Sequence, residues 1–223
     1  SHDLQEPLRL ITSYLGLLER RLGDRLAPDE QEFIGFAVDG AVRMRSMIQG
    51  LLDYARLDSH ALMAEPVALD DVLATVTATL RAKLTEAGAV VEVPPPLPTV
   101  MADRRQMASL FQNLIANAVR YRRPDVPCRI TVTWDRQGDR AVLSVQDTGI
   151  GIDPKNHDRV FGVFQRLRRT GDDEDTGTGM GLAICRRIIE RHEGRIWVES
   201  PPEGGTAFRF TLPLAESGTA TGR

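Results

Sequence analysis

The hydrophobic period of the chain changes once, near residue 60, and this change limits the folds open to it. Up to about residue 57 the apolar residues recur in steps of three and four, the spacing that places them on one stripe of an α-helix. Residues 23–30, GDRLAPDE, interrupt the spacing with glycine, proline and aspartate, so the sequence predicts two helices joined by a turn. The stripe of the first helix is Leu4, Leu8, Ile11, Leu15, Leu18 and Leu22, and that of the second is Phe33, Ala37, Gly40, Met44, Met47, Leu51 and Tyr54.

The apolar surface of this predicted hairpin is too broad for two helices to bury between themselves. Leu10, Tyr14 and Leu17 widen the stripe of the first helix on one flank. Such a surface is best covered when two hairpins pair into a four-helix bundle, which predicts a homodimer. The alternative is a hairpin that lies against the rest of its own chain.

One histidine stands at the start of the first predicted helix. At about 100° per residue, His2 lies roughly 160° from the leucine stripe, on the face that also carries Glu6, Arg9 and Ser13. The sequence therefore predicts a solvent-facing imidazole and not a buried core histidine. A solvated histidine without a chemical role is the alternative. Pro7 removes one backbone donor and should loosen or bend the helix just below His2.

Composition narrows the class of protein. The 223 residues suffice for one large domain or two small ones, and the hydrophobic share of 42% suffices for a sizeable core. The net charge of −3 argues against a nucleic-acid surface. Cys128 and Cys185 lack metal-ligand spacing and predict reduced thiols in a cytoplasmic protein. Since the chain shows neither a membrane span nor a signal peptide and begins just before His2, we expect a fragment without direct membrane contact, whose upstream part is missing.

From about Pro66 the pattern changes to alternating strands and helices, with hairpins prominent. The mixture predicts an α/β sandwich with helices on one face of a mostly antiparallel sheet, so the fold class of the whole chain is α+β. Residues 215–223 form a small, polar tail that we expect to be disordered. The predicted elements are a short extended entry and a helix capped by Asp70 or Asp71, a strand at 89–93, a helix over about 103–121, a hairpin turning at 137–139, a helix over about 181–192, and a closing strand pair around 201–205.

Two asparagines in FQNLIANAVRY, residues 111–121, are the first of three candidate site features. Asn113 and Asn117 are four residues apart and therefore lie on one face of the predicted helix, whereas Leu114 and Ile115 can point into a core. Asparagine is a mediocre helix former, so two of them in mid-helix suggest a binding role. Two solvated amides are the alternative.

The second feature is DTGIGID, residues 147–153. Asp147 ends a predicted strand, and Gly149 and Gly151 follow at alternate positions. Such glycines let the backbone approach a ligand closely, and a carboxylate at the edge of the pocket could accept a hydrogen bond from an exocyclic amine. A plain turn is the alternative.

The third feature is TGTGMGLAI, residues 176–184, in which Gly177, Gly179 and Gly181 lead into a predicted helix. Exposed amides and the positive end of a helix dipole favour phosphate. The Walker pattern is missing and no strand directly precedes the glycines, so neither a P-loop nor a Rossmann dinucleotide site is predicted.

A polar, charged segment over about 154–175 lies between the second and third features. A long segment edged by glycine between two ligand loops predicts a mobile lid. Arg166, Arg168 and Arg169 in this lid could meet phosphate, and ordinary solvated arginines are the alternative.

Taken in order, these stretches resemble the sensor histidine kinases of two-component signalling. SHDLQEPLR resembles the H box of that family, NLIANAVRY the N box, DTGIGI the first glycine box, VFGVFQRL the F box, GTGMGLAI the second glycine box and GGTAFRFTLP the closing strand. The resemblance spans the chain from His2 to about Leu214. The H box is most similar to kinases attached to soluble sensors of the phytochrome type, which implies an upstream sensor domain that this chain lacks.

The resemblance implies a dimerisation and phosphoacceptor hairpin at 1–62 and a catalytic ATP-binding domain at 63–214. It implies that Asn117 would hold Mg²⁺ with Asn113 beside it, since oxygen ligands suit that hard ion. Asp147 would accept a hydrogen bond from the amino group of adenine. The further residues implied to bind ATP are Arg120, at the family's usual lysine position, Tyr121, Gly149, Gly151, Arg166, Gly177, Thr178, Gly179, Gly181, and Thr206 close to the adenine.

The resemblance also implies the reaction. An imidazole nitrogen of His2 would attack the γ-phosphorus of ATP in line, and Asp3 would accept from the other ring nitrogen and fix the tautomer. The phosphoryl group would then pass to an aspartate of a separate response-regulator receiver domain. Many family members carry Thr or Asn four residues after the histidine to position water for dephosphorylation of the receiver. Here Glu6 takes that position, so phosphatase activity through it is not expected.

Two other functions fit parts of this pattern. ATPases of the same superfamily, such as the heat-shock chaperones and mismatch-repair proteins, use a glutamate at the position of Asn113 to activate water, and they lack the H box. An amide cannot take a proton from water, so phosphotransfer is favoured over hydrolysis. A degenerate kinase that binds ATP and acts as a dimeric scaffold is the second alternative.

Overall fold

The computed structural model describes residues 2–22, 25–59, 61–94, 96–166 and 177–215 of the chain. Two long helices come first, followed by a mixture of strands and shorter helices. Two single-turn 3-10 helices, Pro154–Asn156 and Arg159–Phe161, precede the last helix. The elements are α1 His2–Leu22, α2 Pro28–Ser59, β1 Glu65–Ala68, α3 Leu69–Thr79, α4 Arg81–Glu86, β2 Val90–Glu92, β3 Thr99–Ala102, α5 Arg104–Arg120, β4 Arg129–Gln137, β5 Arg140–Asp147, α6 Gly181–Arg191, β6 Ile196–Glu199 and β7 Thr206–Pro213.

The described residues fall into two units. The first unit contains helices α1 and α2 together with residues 163–166 and 177–180. The second unit contains the remaining described residues, from 61 to 162 and from 181 to 215.

Helices α1 and α2 confirm the predicted helical hairpin. Pro7 lies inside α1 without ending it. Much of the apolar surface is uncovered in a single chain: Tyr14, Phe33 and Phe36 expose 65%, 64% and 62% of their surface. This exposure agrees with the sequence argument that two helices cannot bury the whole stripe, while pairing with a second hairpin stays a prediction.

The second unit is built on a five-stranded sheet in the order β2-β4-β5-β7-β6. Strand β2 pairs in parallel with β4, and all other neighbours in this sheet pair antiparallel, which confirms the predicted mostly antiparallel sheet. The β4–β5 hairpin turns where the sequence predicts, and Gly138 takes a positive φ of 64° there. Asp147 and Thr206 are direct partners in the β5–β7 register.

Helices α5 and α6 pack against this sheet through their apolar faces. The rings of Phe111 on α5 and Phe210 on β7 meet edge to face, with centroids 6.1 Å apart and an interplanar angle of 68°. Such aromatic pairs fix the height of a helix above a sheet. The largest fully buried side chains of this core are Phe111, Phe210, Leu69, Met107, Leu110, Leu114, Ile115, Ile130, Leu143, Ile188 and Ile189.

The structure corrects two details of the predicted fold. Helix α3 begins after Ala68 without a side-chain cap, so the predicted capping by Asp70 or Asp71 is wrong. The carboxylate of Asp70 instead accepts a hydrogen bond from the backbone N–H of Leu97, at 3.0 and 3.1 Å from its two oxygens. The chain returns past the start of α3 at Leu97, so Asp70 binds this distant backbone group and does not cap its own helix.

A second, two-stranded sheet was not predicted. Strand β3 pairs antiparallel with β1, and the four residues TVMA of β3 follow a run of prolines that favoured a loop. Ala215, which was expected to begin the disordered tail, donates its backbone N–H to the carbonyl of Thr99 at 3.0 Å. Residues 216–223 of the expected tail lie outside the described residues.

Within the described residues, the helices are all too short or too polar to cross a lipid bilayer.

Candidate nucleotide site

The start of helix α5 and its buried apolar face together determine where its two asparagines lie. Asp103 caps the helix, and its carboxylate accepts from the backbone N–H groups of Arg105 and Gln106 at 3.0 and 3.2 Å. The apolar face is buried, which leaves Asn113 and Asn117 half-buried on the other side.

Asn113 lies against the first residue of α6. Its Nδ2 donates to the carbonyl of Ser109 at 2.8 Å, which leaves Oδ1 directed toward Gly181. A Cβ placed on Gly181 would lie 2.8 Å from this Oδ1, closer than real side-chain contacts allow. Asn113 is therefore more than a solvated amide, since it meets the glycine that opens the next helix.

Asp147, the last residue of β5, is a buried carboxylate with 8% of its surface exposed. Its Oδ1 accepts hydrogen bonds from the backbone N–H groups of Gly149 at 2.8 Å and Thr206 at 3.2 Å. Burial raises the pKa of Asp147 to about 6, although the two backbone hydrogen bonds oppose this rise. Both of these hydrogen bonds use Oδ1, so the geometry directs Oδ2 away from this pair of donors.

Glycines surround this carboxylate because the backbone passes close to it. A Cβ on Gly149 would lie 2.8 Å from Oδ1 of Asp147 and 2.5 Å from the carbonyl oxygen of Tyr121. Gly205 takes a positive φ of 84°, and a Cβ there would overlap the carbonyl oxygen of Asp147. The paired glycines before the closing strand were a sequence signal for this second close approach that the sequence reasoning did not use.

Three residues anchor the loop after Asp147 to its neighbours. The N–H of Ile150 donates to the carbonyl of Tyr121 at 3.0 Å, which joins the loop to the end of α5. The hydroxyl of Thr148 donates to the carbonyl of Pro127 at 2.7 Å. The guanidinium of Arg123 donates through Nε to the carbonyl of Thr148 at 3.2 Å. Sequence reasoning missed Thr148 and Arg123, because nothing in the local pattern reveals a contact 25 residues away.

Arg120 and Tyr121 lie together at the end of α5. Arg120 is exposed, and its Cζ lies 5.9 Å from the centroid of the Tyr121 ring. Gly151, with a φ of 78°, lies close to the backbone of Gly205. A Cβ on Gly151 would come 3.1 Å from the carbonyl oxygen of Gly205. The second unit thus contains two groups of predicted site residues, both of which include residues of the segment 104–121. One group is Asn113 and Gly181, and the other is Tyr121, Asp147, Gly149, Gly151 and Thr206.

The described part of the predicted lid is divided between the two units: residues 154–162 belong to the second unit, and residues 163–166 belong to the first, together with residues 177–180. Gly179 has a φ of 69°, and a Cβ on it would lie 2.8 Å from the carbonyl carbon of Phe164. The backbone N–H of Met180 donates to the hydroxyl of Thr178 at 3.2 Å. Arg166 is exposed, whereas Arg168 and Arg169 lie outside the described residues. Phe164 and Gly179, which lie on either side of residues 167–176 in the chain, are therefore close to each other.

His2 and Asp3 begin helix α1, but their side chains lie outside the described part of the chain. The predicted exposure of the His2 imidazole stays a prediction. Glu6, one turn further on, is exposed.

The donor chemistry of the site fits a hard metal ion only in part. Among the described residues, no three His, Cys, Asp or Glu side chains lie close enough to hold a metal ion. An amide oxygen of Asn117 is a suitable ligand for Mg²⁺, which normally keeps water and substrate phosphates as its other ligands. Cys128 and Cys185 are both buried, and burial raises the pKa of each thiol, which disfavours the thiolate form that binds metals and acts as a nucleophile.

Comparison with known families identifies both parts of the chain. The sequence model of the family described as Histidine kinase-, DNA gyrase B-, and HSP90-like ATPase matches residues 102–216, a little over half of the chain. The model of the His Kinase A (phospho-acceptor) domain matches residues 1–60. The fold and the site therefore define an ATPase-type nucleotide-binding domain preceded by a phosphoacceptor hairpin. The chain belongs to the sensor histidine kinases of two-component systems.

Among curated relatives, the chain is 47% identical to cyanobacterial phytochrome A of Nostoc sp. and 44% identical to the phytochrome-like protein Cph1 of Synechocystis sp., in each case over 214 residues. These alignments cover 96% of this chain and 28% of each relative, so the chain spans less than a third of their length. The kinase region is thus similar to those of phytochrome-type proteins.

Solved structures are similar over the same region. Full-length ShkA in complex with AMPPNP has a TM-score of 0.69 at 26% identity, over 96% of this chain and 44% of that one. ThkA in complex with the response regulator TrrA has a TM-score of 0.65 at 22% identity, over 94% of this chain and 59% of that one, and shows the shared fold.

Proposed function

We propose that this chain is the kinase region of an ATP-dependent protein histidine autokinase, which phosphorylates His2 and passes the phosphoryl group to an aspartate of a response-regulator receiver domain. The observation that carries the proposal is the buried Asp147 carboxylate, held by the amides of Gly149 and Thr206 in the unit that matches the ATPase family. The similarity to ShkA, which was solved with AMPPNP, supports a nucleotide as the ligand.

The adenine end of the nucleotide would lie at Asp147. Two backbone donors orient the carboxylate through Oδ1, so Oδ2 can accept from the exocyclic amine of adenine. Guanine carries a carbonyl oxygen at the equivalent ring position, and a second acceptor facing a carboxylate would be repelled. The site therefore favours ATP over GTP.

The phosphate end would lie between Asn113, Asn117 and the start of α6. The free N–H groups and the dipole of an eleven-residue helix favour negative charge at Gly181. The resemblance to the family adds Thr178, Gly179 and Arg166 as further candidates for phosphate contacts. Mg²⁺ held by the amide oxygen of Asn117 would offset the negative charge of the phosphates.

Asn113 separates this function from ATP hydrolysis. The side-chain amide already donates to the Ser109 carbonyl, and its oxygen faces Gly181. An amide has no basicity at neutral pH and cannot remove a proton from water. Phosphoryl transfer to a histidine needs no such base, because a neutral imidazole already carries a nucleophilic lone pair.

The transfer step balances with the residues of the chain and ATP. A lone pair on one imidazole nitrogen of His2 forms the N–P bond as the bond from the γ-phosphorus to the β,γ-bridging oxygen breaks, and ADP leaves with that electron pair. The proton on the other ring nitrogen would be held by the carboxylate of Asp3.

The hairpin would dimerise through its uncovered apolar surface, and the response regulator would be the second partner. Tyr14, Phe33 and Phe36 are large apolar side chains that expose more than 60% of their surface. Apolar patches of this kind mark protein interfaces. The ThkA structure, which contains the response regulator TrrA, supports a receiver domain as a partner of this fold.

The direct test is incubation of the chain and its His2→Ala variant with ATP labelled at the γ-phosphate, in the presence of Mg²⁺. We expect acid-labile, base-stable label on the wild type only, and none on Asn117→Ala. Equal labelling of wild type and His2→Ala would overturn the assignment of His2. Nucleotide binding without any labelling would instead favour the degenerate, scaffold-type kinase.

A further inference from the structure

His192 is a buried histidine for which the proposed reaction has no use. It follows the last residue of α6 and exposes 3% of its surface. Its Nδ1 lies 2.8 Å from the carbonyl oxygen of Ile188, one turn back on α6. Its Nε2 lies 3.0 Å from the backbone nitrogen of Asp103, which is 89 residues away in the chain.

These two contacts determine the protonation state of the ring. The backbone N–H of Asp103 can only donate, so Nε2 must carry a lone pair. The carbonyl of Ile188 can only accept, so Nδ1 must carry the proton. His192 is therefore a neutral imidazole with both nitrogens engaged, in agreement with the burial that lowers its pKa.

Asp103 connects this ring to the asparagine helix. The backbone N–H of Asp103 is held by His192, while its carboxylate caps α5 by accepting from Arg105 and Gln106. The start of α5 is thus fixed on one side by its own cap and on the other by the end of α6.

Helices α5 and α6 are antiparallel and joined near both ends of their contact. Asp103 meets His192, and Asn113 meets Gly181. The two points are ten positions apart along α5 and eleven apart along α6, which corresponds to about 15 Å and about 16.5 Å of helix. A displacement along the helix axis at His192 is therefore transmitted to Gly181, where Asn113 leaves no space for even one additional carbon atom.

We propose that His192 is a positioning residue for the nucleotide site: its hydrogen bond to Asp103 sets the axial register of α6 against α5, and thereby the distance between Gly181 and Asn113. This role rests on the proposed function, since it acts on the phosphate end of the ATP site. His192 does not touch the nucleotide. Its effect reaches the ligand through two rigid helices.

Two substitutions separate the long-range bond from the local one. His192→Gln places an amide oxygen near the position of Nε2 and can still accept from Asp103. His192→Asn is shorter and keeps only the bond to the Ile188 carbonyl. In titrations of the 223-residue chain with ADP and Mg²⁺, we expect the dissociation constant to stay within about twofold for His192→Gln and to rise about tenfold for His192→Asn, as expected for a misplaced binding group.

Leu84→Ala is the matched control. Leu84 is a buried residue of α4, so its truncation should destabilise the same unit, and it takes no part in the hydrogen bond between Asp103 and His192. It should lower the midpoint of thermal unfolding and leave the ADP dissociation constant within about twofold. In label transfer from ATP, His192→Asn should raise KM with a much smaller change in kcat.

The outcomes distinguish the two proposals. If wild type binds ADP and His192→Asn binds it equally well, or if His192→Gln is as weak as His192→Asn, the positioning role is wrong while the proposed function stands. If wild type binds no nucleotide, the proposed function fails and the positioning role fails with it.

Discussion

The backbone nitrogen of Thr206 lies 3.2 Å from Oδ1 of Asp147, and the same two residues are direct partners in the β5–β7 register. One pair of residues thus joins two strands and orients a buried carboxylate. The position of the carboxylate follows from the sheet, since neither residue can shift without disturbing the pairing of eight consecutive residues on each strand. A rigid strand pair is a more exact support for a binding group than a loop.

Replacement of Asp147 by asparagine should weaken adenine recognition without unfolding the chain. The amide oxygen can still accept from Gly149 and Thr206, but the amide NH₂ would then face the amino group of adenine, donor against donor. We expect a loss of about 2–3 kcal/mol, roughly 30- to 150-fold in ATP affinity, measured by titration calorimetry. An unchanged ATP affinity in Asp147→Asn would place adenine elsewhere.

ATP affinity should also fall between pH 7 and pH 5. Burial raises the pKa of Asp147 to about 6, so acidification removes the charge that accepts from adenine. Titrations over this range, compared with the same series on Asp147→Asn, isolate the contribution of this carboxylate. Parallel pH profiles for the two proteins would show that Asp147 does not control binding.

The stability of the unliganded chain should depend on pH in the opposite sense. Because the folded-state pKa of Asp147 lies above its ordinary value of 3.8, the folded chain holds this proton more tightly than the unfolded chain. The resulting stabilisation is fully present below about pH 4 and is lost as the pH rises through about 6, with a magnitude of about 3 kcal/mol. Urea unfolding of wild type and Asp147→Asn at pH 5 and pH 7 measures this difference, and equal pH dependence of the two would contradict it.

A methyl group on Gly205 should cost much more than one on Gly138. Both glycines have positive φ, 84° and 64°, but a Cβ on Gly205 would overlap the carbonyl oxygen of Asp147, whereas nothing lies within 4 Å of a Cβ on Gly138. We expect Gly205→Ala to lower the free energy of unfolding by about 3 kcal/mol or more and Gly138→Ala by about 1 kcal/mol. Chemical denaturation of both variants tests this, and similar losses would show that the backbone near Asp147 relaxes easily.

The hairpin stripe should control dimerisation. Leu18 belongs to the predicted stripe and exposes 46% of its surface, so Leu18→Glu would place a charge in the proposed interface. Sedimentation should show a dissociation constant at least about tenfold higher. Ser13→Glu introduces the same charge on the opposite face of α1 and should leave the dimer unchanged. A wild-type chain that is monomeric at micromolar concentration would exclude this interface.

The helices and the central sheet were predictable because their patterns are local. The spacing of three and four residues between apolar positions of α1 and α2 lies within single helices, and the alternation of β4 and β5 lies within single strands. Gly149 and Gly151 were predictable for the same reason, because they follow Asp147 at alternate positions within five residues.

The remaining features depend on partners far away in the chain. Asp70 looked like a helix cap, but Leu97 returns to it across 27 residues. Strand β3 forms only because β1 lies beside it, and its proline-rich approach gave no sign of pairing. His192 resembled any histidine at a helix end until the fold brought Asp103 to its ring. No local sequence pattern reveals contacts between residues that are so far apart in the chain.

The edges of the five-stranded sheet have a consequence for how copies of this chain meet. The edge strands β2 and β6 are only three and four residues long. On β2, Glu92 is paired with Arg129 of the neighbouring strand, and on β6 the acidic Glu199 is paired with Arg209. Short, charged borders discourage strand-to-strand stacking between molecules. The sheet edges therefore disfavour association between copies, so the proposed dimer would form through the exposed apolar surface of α1 and α2 and not through the sheet.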